Sequence, residues 1–388
     1  MMNLSHKEEV TLWLFLLVPF ICLLSGYSMF YYIPHQEVYI NLLCLFFFAI
    51  YGRGLLDTTK AVPILIYSLS CVWVICTPLG AHGELPFVKL VYEFLFAVSF
   101  LCLKPEYRFW VYDKFIKILA VIFFLGIIEY VLAMLGITHF WGLLHRQVSS
   151  GILPFYQGTF CIFPSYYGYS VFRFQSLTEE PGVVGTLCAF ILFTLNREKY
   201  KKEFYIFCLA GILSLSLAFY LLLLLGLLGK IKAMKLKFLL LSVILAFSVY
   251  FVFEDAINER IVSRVNVDNL NEIDNRSSAM FQKIFDQFLL SSDVSWGIGN
   301  RTFYSKDYGS NAGVKKMIYQ YGFIAIFILF FSYSYIFFKF NGFSYSTLLV
   351  LLAIWLSFYQ RTDWNFSPNI IIFFSYSLVH INDLRFKT

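Results

Sequence analysis

Two charged residues seven positions apart stand at the end of a long polar stretch, in the run Arg173-Phe174-Gln175-Ser176-Leu177-Thr178-Glu179-Glu180-Pro181-Gly182. An arginine presents a planar fork of donors that grips phosphate bidentately and stays charged at any physiological pH. A carboxylate at a helix start is held ionised and can accept a proton from a nucleophile. The bland reading of the same segment is an ordinary acidic helix start, since Pro181 suits a first helical turn. A second basic group, Arg260, Arg264 and Arg276, precedes Trp296-Gly297-Ile298-Gly299-Asn300-Arg301. Arginines from two such segments, Arg173 with Arg276 above all, supply what a lipid pyrophosphate needs, with Arg260, Arg264 and Arg301 as further phosphate contacts. Taken singly, each is equally an exposed loop residue or a partner of lipid headgroups. Rings crowd the first segment, Tyr166 and Tyr167 among them. They offer a stacking platform with hydroxyl partners for sugars, or else an interfacial aromatic belt.

Other ionisable groups fall inside apolar runs, where each costs roughly 2.5 to 3.5 kcal/mol to insert. Lys89 and Glu93 are four apart and suited to pair on one helix face. Glu129 stands late in its run and can line the same cavity as Arg173. His139 and His145 are candidate bases. No Walker A, HExxH or GxSxG pattern occurs, the polar stretches hold no DxD, and the eight cysteines lack metal-ligand spacing. The chemistry to expect uses neither metal nor cofactor.

What must position these groups is a bilayer-embedded bundle. Of 388 residues, 59% are hydrophobic and only 14% charged, against roughly 25% charged in soluble proteins. Apolar runs near the roughly 20 residues that span a hydrocarbon core recur along the whole chain. They predict about twelve spans, at roughly 10–32, 37–51, 61–77, 86–103, 115–136, 181–196, 203–214, 216–229, 238–253, 317–338, 346–360 and 366–380. The fold class is therefore an all-α polytopic membrane protein, with residues 1–388 as one membrane domain. The basic residues Arg53, Lys60, Lys104, Arg108, Lys114, Arg197, Lys199, Lys230, Lys339 and Arg385 lie between alternate runs. Such asymmetry places those turns and both termini in the cytoplasm, and it splits 203–229 into a tight helix pair. Nucleic-acid binding is not what this charge distribution serves. Two long segments, about 137–180 and 254–316, then lie outside. The second contains Ala279 to Leu289 with apolar residues on one helical face, Asp274 or Asn275 as its cap, and a place over the outer surface of the bundle.

At these residues the chain resembles the O-antigen polymerase and ligase superfamily, and within it a Wzy-type polysaccharide polymerase. The resemblance rests on Arg173 through Pro181, on Leu213-Ser214-Leu215-Ser216, on Arg276 ahead of Gly297-Ile298-Gly299, and on Asn311 before Tyr321-Gly322. It departs at Ser176, where the family pattern has glycine, at Leu217, where an arginine often follows, and at Ser310, where a ligase has histidine. The resemblance implies inverting, metal-independent glycosyl transfer at the periplasmic face of a bacterial inner membrane. The partners it implies are undecaprenyl-pyrophosphate-linked glycans, a chain-length regulator and a flippase. Arg173 and Arg276 would stabilise the departing pyrophosphate, Glu180 would serve as base or orient it, and Asn311 would contact substrate. A lipid-linked glycan flippase or other secondary transporter, a ligase, and a non-enzymatic assembly protein stand as alternatives.

Overall fold

The computed structural model describes residues 5–23, 36–76, 84–137, 140, 142–148, 151–164, 173–178, 180–230, 278–298, 313–360 and 366–380. Helices form where a polar cap or a proline seats the first turn ahead of an apolar run. Helix α1, His6–Leu23, begins earlier than the apolar run that starts at Val10. A capping box is the reason: Glu8 N donates to Ser5 Oγ at 3.4 Å while Ser5 N donates to Glu8 Oε2 at 2.9 Å. Helices α2 (Gln36–Tyr51), α3 (Ala61–Cys76) and α4 (Glu84–Leu101) follow. Helix α5, Pro105–Met134, starts ten residues before the expected span, because Pro105 occupies its first turn and Glu106 complements the dipole. Arg108 and Lys114, expected in a loop, are therefore helical.

The stretch after α5, expected as a long external loop, carries strands as well, while the chain as a whole is predominantly helical. Strands β1 (Gly142–Val148), β2 (Gly151–Gln157) and β3 (Ile162–Pro164) form an antiparallel meander in the order β1-β2-β3. Val148 pairs with Gly151 and Gly142 with Gln157, so a two-residue connection sets the register. Beyond it come α6 (Pro181–Thr194), α7 (Lys201–Leu213), α8 (Leu217–Lys230), α9 (Ala279–Leu289), α10 (Gly313–Asn341), α11 (Tyr345–Gln360), α12 (Ser367–Phe374) and α13 (Tyr376–His380). The run expected at 238–253 lies outside the described residues. The last expected span is two helices, divided at Ser375.

Among the described residues, Val38–Leu55, Pro105–Met134 and Gly313–Asn341 are long and apolar enough to cross a membrane, and several shorter apolar helices accompany them. Their outward stripes are apolar too: Phe323, Phe327 and Phe331 on α10, and Leu65 and Leu69 on α3, are exposed. Apolar surface spread over several such helices suits a lipid surround, and the chain is a helical, membrane-embedded protein. At the centre lies α12, whose residues Ile370 to Phe374 are all fully buried, as expected of a helix apolar on every side.

Basic residues gather at the end of the bundle where α5 begins. Arg108 is buried, donates through Nε to Leu103 O at 3.1 Å and through a terminal nitrogen to Phe374 O at 3.1 Å. Its guanidinium lies 4.5 Å from the Phe340 ring centroid, and Lys60 Nζ lies 4.3 Å from the same ring. Asn341 Nδ2 donates to Phe373 O at 3.0 Å, Lys104 Nζ to Gly54 O at 2.6 Å, and the His380 ring meets Thr194 O at 3.0 Å. Burial, aided by the neighbouring Arg108, pulls the Lys60 ammonium below the usual lysine range. Burial raises the Asp57 carboxyl, but the Thr59 hydrogen bonds and the nearby Arg108 and Lys60 outweigh it and leave the group below its ordinary value.

Candidate functional site

At the far end of α5 from this basic cluster, the chain between β3 and α6 meets the junction of α7 and α8. Gly185, early in α6, leaves room only for Ser214 and Ser216, whereas Phe193, late in α6, packs against Gly226. Helix α8 therefore runs parallel to α6. Helix α7 runs alongside α5, since Tyr200 Oη donates to Asp113 at 2.8 Å and Phe207 meets the Phe123 ring further along. The chain reverses at Ser214-Leu215-Ser216. Phe219 lies over Gly211, and Tyr220 Oη donates back to Ile212 O at 3.0 Å. Leu215 takes the left-handed conformation, φ 45°, which costs about 1 to 2 kcal/mol for a side chain of its kind. With 13 and 14 residues the two helices are each about 20 Å long. Their tip packs near Gly126, roughly 12 Å short of the end of α5 at 1.5 Å per residue.

Arg173 is held at this tip. Its Nε donates to Ser214 O at 2.9 Å and Phe174 N donates to Leu213 O at 2.9 Å. Both satisfy carbonyls that a helix C-terminus leaves over. The Nε bond uses one of the five guanidinium donors and fixes the plane of the fork. A capping role thus accounts for the backbone-facing side of Arg173.

The segment that follows is packed in. Phe174, Gln175, Ser176 and Leu177 are buried, and Thr178 Oγ1 donates to Gln175 O at 2.8 Å and Glu180 O at 3.1 Å. Ser176 also lies in the left-handed region, φ 49°, with its Oγ donating to Phe160 O at 3.1 Å. Ser176→Gly should therefore shift stability by no more than about 1 kcal/mol, because relief of the backbone offsets one lost hydrogen bond. Ser176→Val should cost about 2 kcal/mol or more, with a branched side chain on a backbone that disfavours it. Thermal unfolding of the purified variants measures both.

Glu180 is extended, with φ −154° and ψ 154°, immediately before Pro181. Its carbonyl accepts from Val183 N at 3.0 Å, while its exposed side chain makes no capping bond to α6. The carboxylate is thus outside the helix's own hydrogen bonding. Arg173 and Glu180 border one short segment whose residues Phe174 to Thr178 are buried.

Glu129, expected as a carboxylate able to line the cavity, is engaged by the protein's own backbone. Its Oε1 accepts from Thr159 N and its Oε2 from Phe160 N, each at 2.6 Å. Sequence reasoning missed that role because the partner amides lie about thirty residues away. It also passed over Gln175, whose side chain is buried with no hydrogen-bond partner at Nε2, a state costing about 1 to 3 kcal/mol. Only its place between Arg173 and Ser176 signals it.

In the second long segment, α9 is a one-faced helix. Phe281, Phe285 and Phe288 are buried against Tyr319 of α10, while Lys283, Asp286 and Gln287 are exposed. Its cap is Ser278, not Asp274 or Asn275. The Ser278 hydroxyl accepts from Phe281 N at 3.1 Å, whereas the two expected caps lie four and three positions too early and outside the described residues. Beyond α9, Gly297 and Gly322 meet backbone to backbone, both with φ 77°, and Ile298 N donates to Tyr319 O at 2.9 Å. Gly322 breaks α10 at this point.

Arg260, Arg264, Arg276, Arg301, Tyr166, Tyr167, Asn311 and His139 lie outside the described residues. His145 is on β1 opposite Pro154, and the side chain of Lys89, the expected partner of Glu93, is also outside them. No family profile matches the sequence, and comparisons with curated proteins and with solved structures give no match.

Proposed function

We propose that the chain is a Wzy-type polymerase, joining undecaprenyl-pyrophosphate-linked repeat units by inverting, metal-independent glycosyl transfer. The observation that carries this reading is Arg173, fixed at a recessed helical hairpin tip with Glu180 seven residues on at the start of α6. The left-handed backbone at Ser176, where the resembled family carries glycine, fits the same reading. In it the basic end of the bundle faces the cytoplasm and the hairpin tip faces the periplasm of a bacterial inner membrane, with about twelve spans in all.

In this mechanism Arg173, with Arg276 from the second segment, neutralises charge developing on the leaving pyrophosphate. Glu180 takes the proton of the attacking sugar hydroxyl. The rings of Tyr166 and Tyr167, as platforms for sugar faces, and the polar groups Arg260, Arg264, Arg301 and Asn311 hold the two lipid-tethered glycans in line. Purified protein given the lipid-linked repeat unit should produce a ladder of longer glycans. A transporter or an assembly protein makes none, and absence of the ladder removes the reading. Glu180→Gln should lower the rate roughly 100-fold or more with substrate still bound. An unchanged rate at matched protein level takes Glu180 out of the mechanism. Cysteine labelling in whole cells should reach position 145 without lysis and position 199 only after it; the reverse pattern inverts the topology.

A further inference from the structure

A face of α5 is built around the segment that carries Arg173. Phe123, Gly126 and Glu129 recur at three-residue spacing, so they lie on one side of the helix. Phe123 meets the Phe174 ring edge-on, with centroids 6.1 Å apart. Gly126 has no side chain where one would stand 2.8 Å from Phe160 O and 3.2 Å from Ser176 Oγ. Glu129 accepts the amides of Thr159 and Phe160, one on each oxygen. A side chain at Gly158 would strike that carboxylate.

The turn so gripped holds the Arg173 segment in its place. Ser176 Oγ donates to Phe160 O at 3.1 Å and Ile162 N donates to Ser176 O at 2.9 Å, while Gly158 N donates to Cys161 O at 2.9 Å. Three residues before Ser176, Arg173 reaches Ser214. We propose that Glu129 is a positioning residue: its carboxylate clamps the 158–160 turn, and through Phe160 and Ser176 it sets where Arg173 presents its guanidinium. This role rests on the reading of Arg173 as a pyrophosphate ligand. A carboxylate in the outer half of a membrane helix is costly, and two charge-assisted bonds to backbone amides compensate it. Its acceptor capacity is directed at the protein's own backbone, which suits support rather than proton transfer.

The test uses the full chain in lipid nanodiscs, with undecaprenyl pyrophosphate titrated as the probe and amide exchange followed by mass spectrometry. Glu129→Gln keeps the shape but turns one acceptor into a donor facing an N–H. It should speed exchange in peptides covering 155–164 and 173–178, leave 61–76 unchanged, and weaken binding of the probe about 10-fold or more, as displacements near 1 Å can. Gly158→Ala pushes on the carboxylate and displaces the same bonds while leaving Glu129 chemically intact, and it should reproduce both effects. The double variant should bind no worse than the weaker single one, since both remove one contact. Unchanged exchange in the two variants overturns the clamp. Faster exchange with native affinity, alongside weakened binding in Arg173→Ala, leaves Glu129 merely structural and overturns the positioning role. Native affinity in Arg173→Ala sinks the pyrophosphate reading itself, and the positioning role with it, a result that the exchange data keep separate from failure of the clamp.

Discussion

Arg173→Ala should lower polymer formation on a lipid-linked repeat unit about 100-fold or more, the scale of removing one preorganised donor from a developing negative charge. The loss should appear in the rate at saturating substrate as well as in affinity, because the charge on the departing pyrophosphate grows as the bond breaks. Arg173→Lys should recover little. The native guanidinium spends Nε on Ser214 O at 2.9 Å, and the planar fork lets its remaining N–H groups point elsewhere at the same time. An ammonium that satisfies the helix end cannot also reach a bidentate partner. If Arg173 only caps α7, lysine should restore function, since a cation near a helix C-terminus is favourable in either form. Lysine at native rates with normal expression would settle the matter for capping.

Gly322→Ala should destabilise the protein by about 2 to 5 kcal/mol, combining a left-handed alanine with intrusion into packed backbone. The sign is what makes this informative. Alanine for glycine inside an ordinary helix stabilises by roughly 1 kcal/mol, and Gly322 lies within the 29 residues of α10. Here φ is 77° and a Cβ would run into Ser295 O and Trp296 N. Gly297→Ala should cost a similar amount, because its Cβ would press on Gln320 and on Gly322 N. The double variant should lose clearly less than the sum, since one contact is removed twice. Thermal unfolding midpoints of the three purified variants check this, and a raised midpoint for Gly322→Ala contradicts the close backbone contact of Gly297 with Gly322.

Much of the bundle could be read from the sequence because apolar runs bounded by polar turns are a strong local signal. Pro181 announced the start of α6, and the one-sided run at 279–289 announced α9. The misses share a cause. Ser5 and Glu8 were both visible, yet a capping box declares itself only once the Ser5 and Glu8 amides have partners. The break at Ser375 lies inside largely apolar composition, and a single glycine such as Gly322 within a run long enough to be one helix does not by itself fix a break. Strands β1 to β3 lack sustained alternation and owe their pairing to a two-residue connection and to the Glu129 grip beneath. Of the candidate site, the residue types were legible in Arg173 and Glu180. What they touch was not, because Ser214 is 41 positions away from Arg173.

Arg108 adds a constraint on the order of biosynthesis. It lies in α5, yet one of its hydrogen bonds goes to Phe374 O, 266 positions later. Asn341 likewise waits for Phe373 O and the amide of Ser377. While the ribosome is still making the middle of the chain, this guanidinium lacks its final acceptor and the space filled by α12 stands without its apolar plug. The helices laid down early therefore surround an unfilled space until α12 arrives. Chains truncated before Ser367 should accumulate as insertion intermediates open to membrane proteases, and supplying the C-terminal segment as a separate polypeptide should rescue them.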